Sequence, residues 1–281
     1  MAEVLEPLRG VWAAVLTPVT AGLEPDAAKA IAYYRELLES GCDGINLLGT
    51  TGEAMSFDTG ARVEFMRAIA QSGLPMDRVM AGTGSASLAD AARLTKAAIE
   101  LNFAAVLVMP PFFYRDASDD GILSYFEALF ARVPSIGKRV LLYNFPAMSG
   151  ITFHADLVDR LMANFPNTIA GVKDSSNDRG LQRELLARHR ELAVFPGSEA
   201  YLGGALAYGA AGCISGSVAL WPELAGRVYR NATCAGARDL SERRASLDGL
   251  PFIAAVRRRV ADLRADDAWT RSMPPLVPLG S

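Results

Sequence analysis

The chain has 281 residues, 51% hydrophobic and 21% charged, with a formal net charge of −3. That balance supports a sizeable buried core and argues against a disordered chain. The slightly acidic balance gives no electrostatic footprint for nucleic acid or an anionic membrane surface, and no run of about 18 uncharged apolar residues offers a membrane span.

The N-terminal Met1-Ala2-Glu3-Val4-Leu5-Glu6 is acidic and lacks the basic and apolar regions of a signal peptide, so a cytoplasmic location is expected. Cys42, Cys213 and Cys234 are odd in number and lack metal-ligand spacing, which predicts three reduced thiols and no metal site. Only two histidines are present. His154 leads into a helical segment and His189 sits among arginines on a solvated helix face, so neither suits histidine catalysis or a zinc site.

Eight short apolar runs alternate with longer segments of helical period. In chain order the runs are Gly10 to Thr17, Gly44 to Leu48, Arg78 to Gly82, Ala104 to Met109, Arg139 to Tyr143, Thr168 to Lys173, Leu192 to Phe195 and Gly212 to Ser215. Between them lie amphipathic stretches such as Pro25 to Ser40, Thr59 to Ser72, Ser87 to Leu101, Asp119 to Val133 and Asp178 to Leu192. The alternation predicts parallel strands in a closed (β/α)8 TIM barrel over residues 1–222, followed by a C-terminal helical extension over 223–281. An open doubly wound sheet is the alternative, but no Gly-x-Gly-x-x-Gly fingerprint follows the first strand. The Arg257-Arg258-Arg259 cluster in the extension reads as an exposed helix face.

In such a barrel the chemistry is built at the C-terminal ends of the strands. After the second strand, Gly49-Thr50-Thr51-Gly52-Glu53 offers turn N–H groups and two hydroxyls, suited to a small carboxylate; a plain βα turn with a helix cap is the alternative. After the fifth, Tyr143-Asn144-Phe145-Pro146 brings a phenol to the mouth, for proton transfer or for packing. The sixth ends in Lys173, one of four lysines against 24 arginines. An amine at the end of a buried strand loses hydration, which lowers its pKa and frees it to attack a carbonyl; a lysine snorkelling to water is the alternative. Amine, phenol and carboxylate cradle around one mouth are the equipment of a class I aldolase.

These motifs, with Thr17-Pro18 after the first strand, Gly171-Val172-Lys173-Asp174 and Gly212-Cys213-Ile214-Ser215, resemble those of the dihydrodipicolinate synthase and N-acetylneuraminate lyase superfamily. They occur in its order over nearly the whole chain, with closest likeness to 2-keto-3-deoxy-sugar-acid aldolases. The resemblance implies that Lys173 forms an imine with pyruvate or a longer 2-oxo acid, with no metal and no organic cofactor. It implies that Tyr143 is the acid/base, that Thr50 links it to a relay, and that Thr51 with the Gly49 to Gly52 turn holds the carboxylate. Gly197, Ser198 and Glu199 fall where related lyases read sugar hydroxyls, and Ile214 and Ser215 border the pocket. A homotetramer, or else a dimer, is the implied assembly.

Two positions depart from the pattern. Met148 stands where the synthase carries an arginine, which weighs against an aldehyde bearing its own carboxylate. Pro110-Pro111-Phe112-Phe113-Tyr114 displaces the family's relay tyrosine by one residue, so that either Phe113 or Tyr114 occupies its place, or the aromatic run forms an interface patch. The leading expectation is a lyase releasing pyruvate and an aldehyde from a 2-keto-3-deoxy sugar acid. A 4-hydroxy-tetrahydrodipicolinate synthase, a keto-deoxy sugar acid dehydratase and a non-catalytic sensor are the competing readings.

Overall fold

The computed structural model describes residues 8–231 and 233–279; the acidic N-terminal segment and the side chain of Cys234 lie outside the described residues. The chain runs β1 (Gly10–Ala14), α1 (Ala27–Glu39), β2 (Gly44–Leu47), α2 (Thr59–Ala70), β3 (Val79–Gly82), α3 (Leu88–Glu100), β4 (Ala105–Val108) and α4 (Asp119–Ala131). It continues with β5 (Val140–Asn144), α5 (Pro146–Ser149), α6 (Ala155–Asn164), β6 (Ile169–Asp174), α7 (Arg179–Arg188), β7 (Ala193–Pro196), α8 (Leu202–Leu206) and β8 (Gly212–Ser215). Three helices follow: α9 (Pro222–Arg230), α10 (Cys234–Ala245) and α11 (Phe252–Arg264).

All strand pairings are parallel, in the order β7-β6-β5-β4-β3-β2-β1-β8. The ring closes where Ala211 N–H donates to Val194 O at 2.9 Å. This is the (β/α)8 barrel that the alternating pattern predicts. Helix starts follow from local chemistry: Asp26, Asp58, Ser87, Ser118 and Asp178 each accept a hydrogen bond from an N–H of the first turn of α1, α2, α3, α4 and α7.

Strand alternation splits the core into two. Val11, Ala13, Ile45, Leu47, Val106, Leu142, Val172 and Val194 face outward onto the helices. Trp12, Ala14, Met80, Leu107, Leu141, Phe195 and Ile214 fill the barrel interior. Trp12 is paired in register with Gly44, and a β-carbon on Gly44 would stand 2.2 Å from the indole ring. The bulky interior ring therefore requires the absent side chain on the neighbouring strand.

The expected boundary between residues 222 and 223 falls inside α9, which packs on β1, while α10 and α11 lie beyond it. Two readings of single residues are corrected, and a third holds. Arg257 is not on an exposed face: it is completely buried, because α11 turns that side chain inward toward Glu53 while Arg258 stays at the surface with Asp262. His189 is half-buried at the end of α7, bonded through Nε2 to Asp159 at 2.7 Å rather than solvated. His154 caps α6, as its position implies, with Nδ1 accepting from Leu157 N–H.

Cys42 and Cys213 are free and buried, and burial pushes the Cys42 thiol up to about 12. No helix among the described residues is long and apolar enough to cross a membrane.

Replacing Gly44 by alanine is expected to destabilise the barrel by about 1–3 kcal/mol through overpacking against Trp12. Chemical denaturation of Gly44→Ala beside the parent checks this; unchanged stability would mean that Trp12 moves aside freely.

Candidate active site

Parallel pairing places Tyr143 directly beside Lys173 on adjacent strands β5 and β6. Both side chains point into the barrel, and both residues are buried, Lys173 being only 4% exposed. Lys173 Nζ lies 4.2 Å from the centroid of the Tyr143 ring, close enough for the ring's negative face to interact with a positive amine. Among the described residues the Lys173 ammonium joins no ion pair. Burying a lysine without a carboxylate partner is costly, which makes Lys173 a candidate functional residue.

The adjoining Asp174 is fully occupied on the other face of β6. Its oxygens accept from Asn144 Nδ2 at 2.7 Å, Gln182 Nε2 at 2.6 Å and Ser176 N–H at 3.2 Å. Asn144 in turn accepts from Phe153 N–H at 3.0 Å. This network anchors the mouth ends of β5 and β6, the residues next to Tyr143 and Lys173. Gly197 N–H adds a bond to Asp174 O at 2.6 Å from the end of β7.

The Tyr143 hydroxyl meets Thr50 Oγ1 at 3.3 Å, joining the turn after β2 to the phenol. Thr51, buried beside it, packs against Gly216 after β8: a β-carbon there would come within 2.6 Å of Thr51 Oγ1. Only glycine leaves that threonine its place. The turn itself is closed by Glu53 N–H to Thr50 O at 3.0 Å and Ala54 N–H to Gly49 O at 3.3 Å. The structure thus gathers Lys173, Tyr143, Thr50, Thr51, Gly49 and Gly52 at one end of the barrel.

Other residues singled out from the sequence sit differently. Glu199 is buried with its carboxylate engaged by the Ser215 hydroxyl and by Trp221 Nε1, the latter at 3.1 Å. Ser198 caps the short turn at Glu199–Tyr201 by accepting from Ala200 N–H, and Ile214 is part of the barrel interior. Phe113 and Tyr114 project outward, 75% and 70% exposed, with their rings edge-on at 5.3 Å.

Glu53 and Arg257 were missed as partners. Both side chains are fully buried and form an ion pair linking the turn after β2 to α11. A glutamate closing a Gly-Thr-Thr-Gly motif and an arginine in a charged helical run carry no sequence signal that they meet. Burial holds the Arg257 pKa below its ordinary value, with Glu53 the main opposing cause. Asn46 was missed as well: it lies inside the barrel on β2, and among the described residues both its amide atoms are unpartnered.

Among the described residues no cluster of three or more histidine, cysteine or acidic side chains is arranged to hold a metal ion. A cleft of about 230 Å³ on the outer wall between α7 and α8 is lined by Arg179 and Arg183, stacked on Tyr201 and Tyr208 at 4.1 and 4.0 Å.

A profile of the dihydrodipicolinate synthetase family matches residues 7–260. The chain belongs to that family. It is therefore an enzyme, a pyruvate-dependent class I aldolase or lyase. An uncharacterized DapA-like lyase of Chloroflexus aurantiacus is 34% identical over 97% of this chain and 92% of its own length. The crystal structure of dihydrodipicolinate synthase from Agrobacterium tumefaciens superposes with a TM-score of 0.90 at 30% identity, covering 96% of this chain and 94% of that one. YagE, a prophage protein of this family from E. coli K12 solved in complex with pyruvate, gives 0.85 at 25% identity over 97% and 94%.

Tyr143→Phe keeps the ring beside Lys173 and removes the hydroxyl that meets Thr50. Turnover of this variant is expected to fall by about 10²- to 10⁴-fold with its melting temperature almost unchanged. Steady-state kinetics with circular dichroism checks this, and near-parental turnover would remove Tyr143 from the proton transfer.

Proposed function

We propose that the protein is a Schiff-base aldolase that cleaves a 2-keto-3-deoxy sugar acid reversibly to pyruvate and an aldehyde. The observation that carries this reading is the buried Lys173 amine, 4.2 Å from the ring centroid of a phenol whose hydroxyl meets Thr50.

In the proposed cycle the neutral Lys173 amine adds to the C2 carbonyl of the 2-oxo acid. The carbinolamine is protonated on oxygen and loses water, leaving a protonated imine. Tyr143, left as a phenolate after giving its proton to that carbinolamine oxygen, accepts the proton of the C4 hydroxyl, the C3–C4 bond breaks, its electron pair passes to the iminium nitrogen, and the aldehyde leaves. Protonation of the enamine at C3 and hydrolysis by water release pyruvate and free Lys173. Thr50 orients the phenol, and Thr51 with the N–H groups of the Gly49 to Gly52 turn holds the carboxylate. Ile214 walls the pocket, and Gly197, Ser198, Glu199 and Ser215 shape the end that receives the sugar tail.

Met148 supports a sugar acid over aspartate semialdehyde. It is 53% exposed on α5, and a thioether there offers no bidentate partner to a second carboxylate. The synthase is the second reading, favoured by the likeness to the Agrobacterium tumefaciens enzyme; dehydration of the same sugar acid is the third. Family membership supports a homotetramer, with a dimer as the alternative, and a cytoplasmic location, both part of this proposal.

Incubation with pyruvate and borohydride is expected to give one stable adduct per chain by intact mass in the parent and none in Lys173→Ala. No adduct on the folded parent would overturn the imine mechanism. Pyruvate release from 2-keto-3-deoxygluconate, set against condensation of pyruvate with aspartate semialdehyde, then separates aldolase from synthase. A dehydrated product without pyruvate would identify the dehydratase.

A further inference from the structure

We infer that Glu53 and Arg257 are positioning residues for the substrate carboxylate, so that α11, outside the barrel, sets the shape of the cradle after β2. The inference rests on the reading of the Gly49 to Gly52 turn as the carboxylate holder.

Arg257 uses all three nitrogens of its fork, two of them on the mouth of the barrel. Nε and Nη2 meet Glu53 Oε1, Nη2 also donates to Thr17 O at 2.8 Å, and Nη1 donates to Trp269 O at 3.3 Å. The second carboxylate oxygen of Glu53 accepts from Met273 N–H at 2.7 Å. One guanidinium therefore ties the segments that follow β1 and β2 to each other and to the C-terminal extension.

Glu53 also carries a backbone constraint. Its φ of +55° is left-handed, unfavourable for a residue with a side chain, and it persists only where the surroundings impose it. In that conformation its N–H reaches Thr50 O and closes the turn, while Thr51 is wedged against Gly216. Releasing the Glu53 side chain frees the backbone to relax and moves the N–H groups of residues 50–52 together with it.

Stability alone does not account for the pair. Buried ion pairs seldom outperform well-packed apolar residues of similar volume, whereas a planar guanidinium fork supplies direction. That direction is aimed at the turn beside Lys173 and Tyr143.

The test compares imine trapping by borohydride with pyruvate and with acetaldehyde, which has a carbonyl but no carboxylate. The parent, Glu53→Gln and Arg257→Lys are measured, with Lys173→Ala as background and circular dichroism to establish folding. Half-saturating pyruvate is expected to rise in both variants, about tenfold in Glu53→Gln, the size of one lost charge-assisted contact. Half-saturating acetaldehyde is expected to stay within about twofold, since its imine needs no carboxylate holder. Arg257→Lys keeps the charge without the fork, so its rise in half-saturating pyruvate should be the smaller. Parallel shifts for both carbonyls, or no shift for either, would overturn the inference. Trapping of acetaldehyde but not pyruvate by the parent would instead overturn the carboxylate reading beneath it. A Glu53→Met, Arg257→Met double variant, apolar and of similar bulk, carries the same comparison if either single variant fails to fold.

Discussion

The parallel pairing of β5 with β6 governs what this molecule can do. Its register sets Tyr143 against Lys173 and Asn144 against Asp174, so one ladder sorts four polar residues onto two faces. The inward pair lies at the candidate reactive site. The outward pair is satisfied by hydrogen bonds that hold the strand ends in place. A slip of one residue would exchange the faces, burying the amine among the helices and aiming a carboxylate into the barrel.

A second constraint acts across the length of the chain. Barrel strands are rigid, but the turn after β2 is not part of any ladder, and its geometry depends on side-chain contacts. The extension supplies them through Arg257, Trp269 O and Met273 N–H, while α10 packs on the short turn that carries Glu199. The helices beyond the barrel thus reach two of its mouth segments. Buried charge serves as a fastening here because both carboxylate oxygens of Glu53 and all three guanidinium nitrogens of Arg257 have partners.

The core of the site and its periphery differ in how tightly they are determined. Lys173, Tyr143 and Thr51 are buried and held by packing. Phe113, Tyr114 and Met148 are exposed on the segments following β4 and β5, where side chains change with little cost to the fold. That division suits a family whose imine-forming centre is shared while the partner aldehyde varies. The exposed aromatic pair also leaves apolar surface open to solvent.

Much of this was legible in the amino-acid order. Eight apolar runs spaced by amphipathic segments specify a barrel because strand and helix periods are local properties. The rule that chemistry gathers at strand C-termini then picks out Lys173, Tyr143 and the Gly-Thr-Thr-Gly turn. Contacts between residues distant in the chain were not legible. Nothing in Arg257-Arg258-Arg259 tells which arginine turns inward, since helical phase is set by the surface that α11 packs against. The partners of Glu199, Ser215 and Trp221, and the unpartnered Asn46 in the barrel interior, likewise depend on how the ring closes. The sequence by itself determined the elements and the residues at their ends, because those follow from local periodicity. Only the tertiary structure decided which buried charges meet, because that requires strands and helices as much as 204 residues apart to be brought within hydrogen-bonding distance.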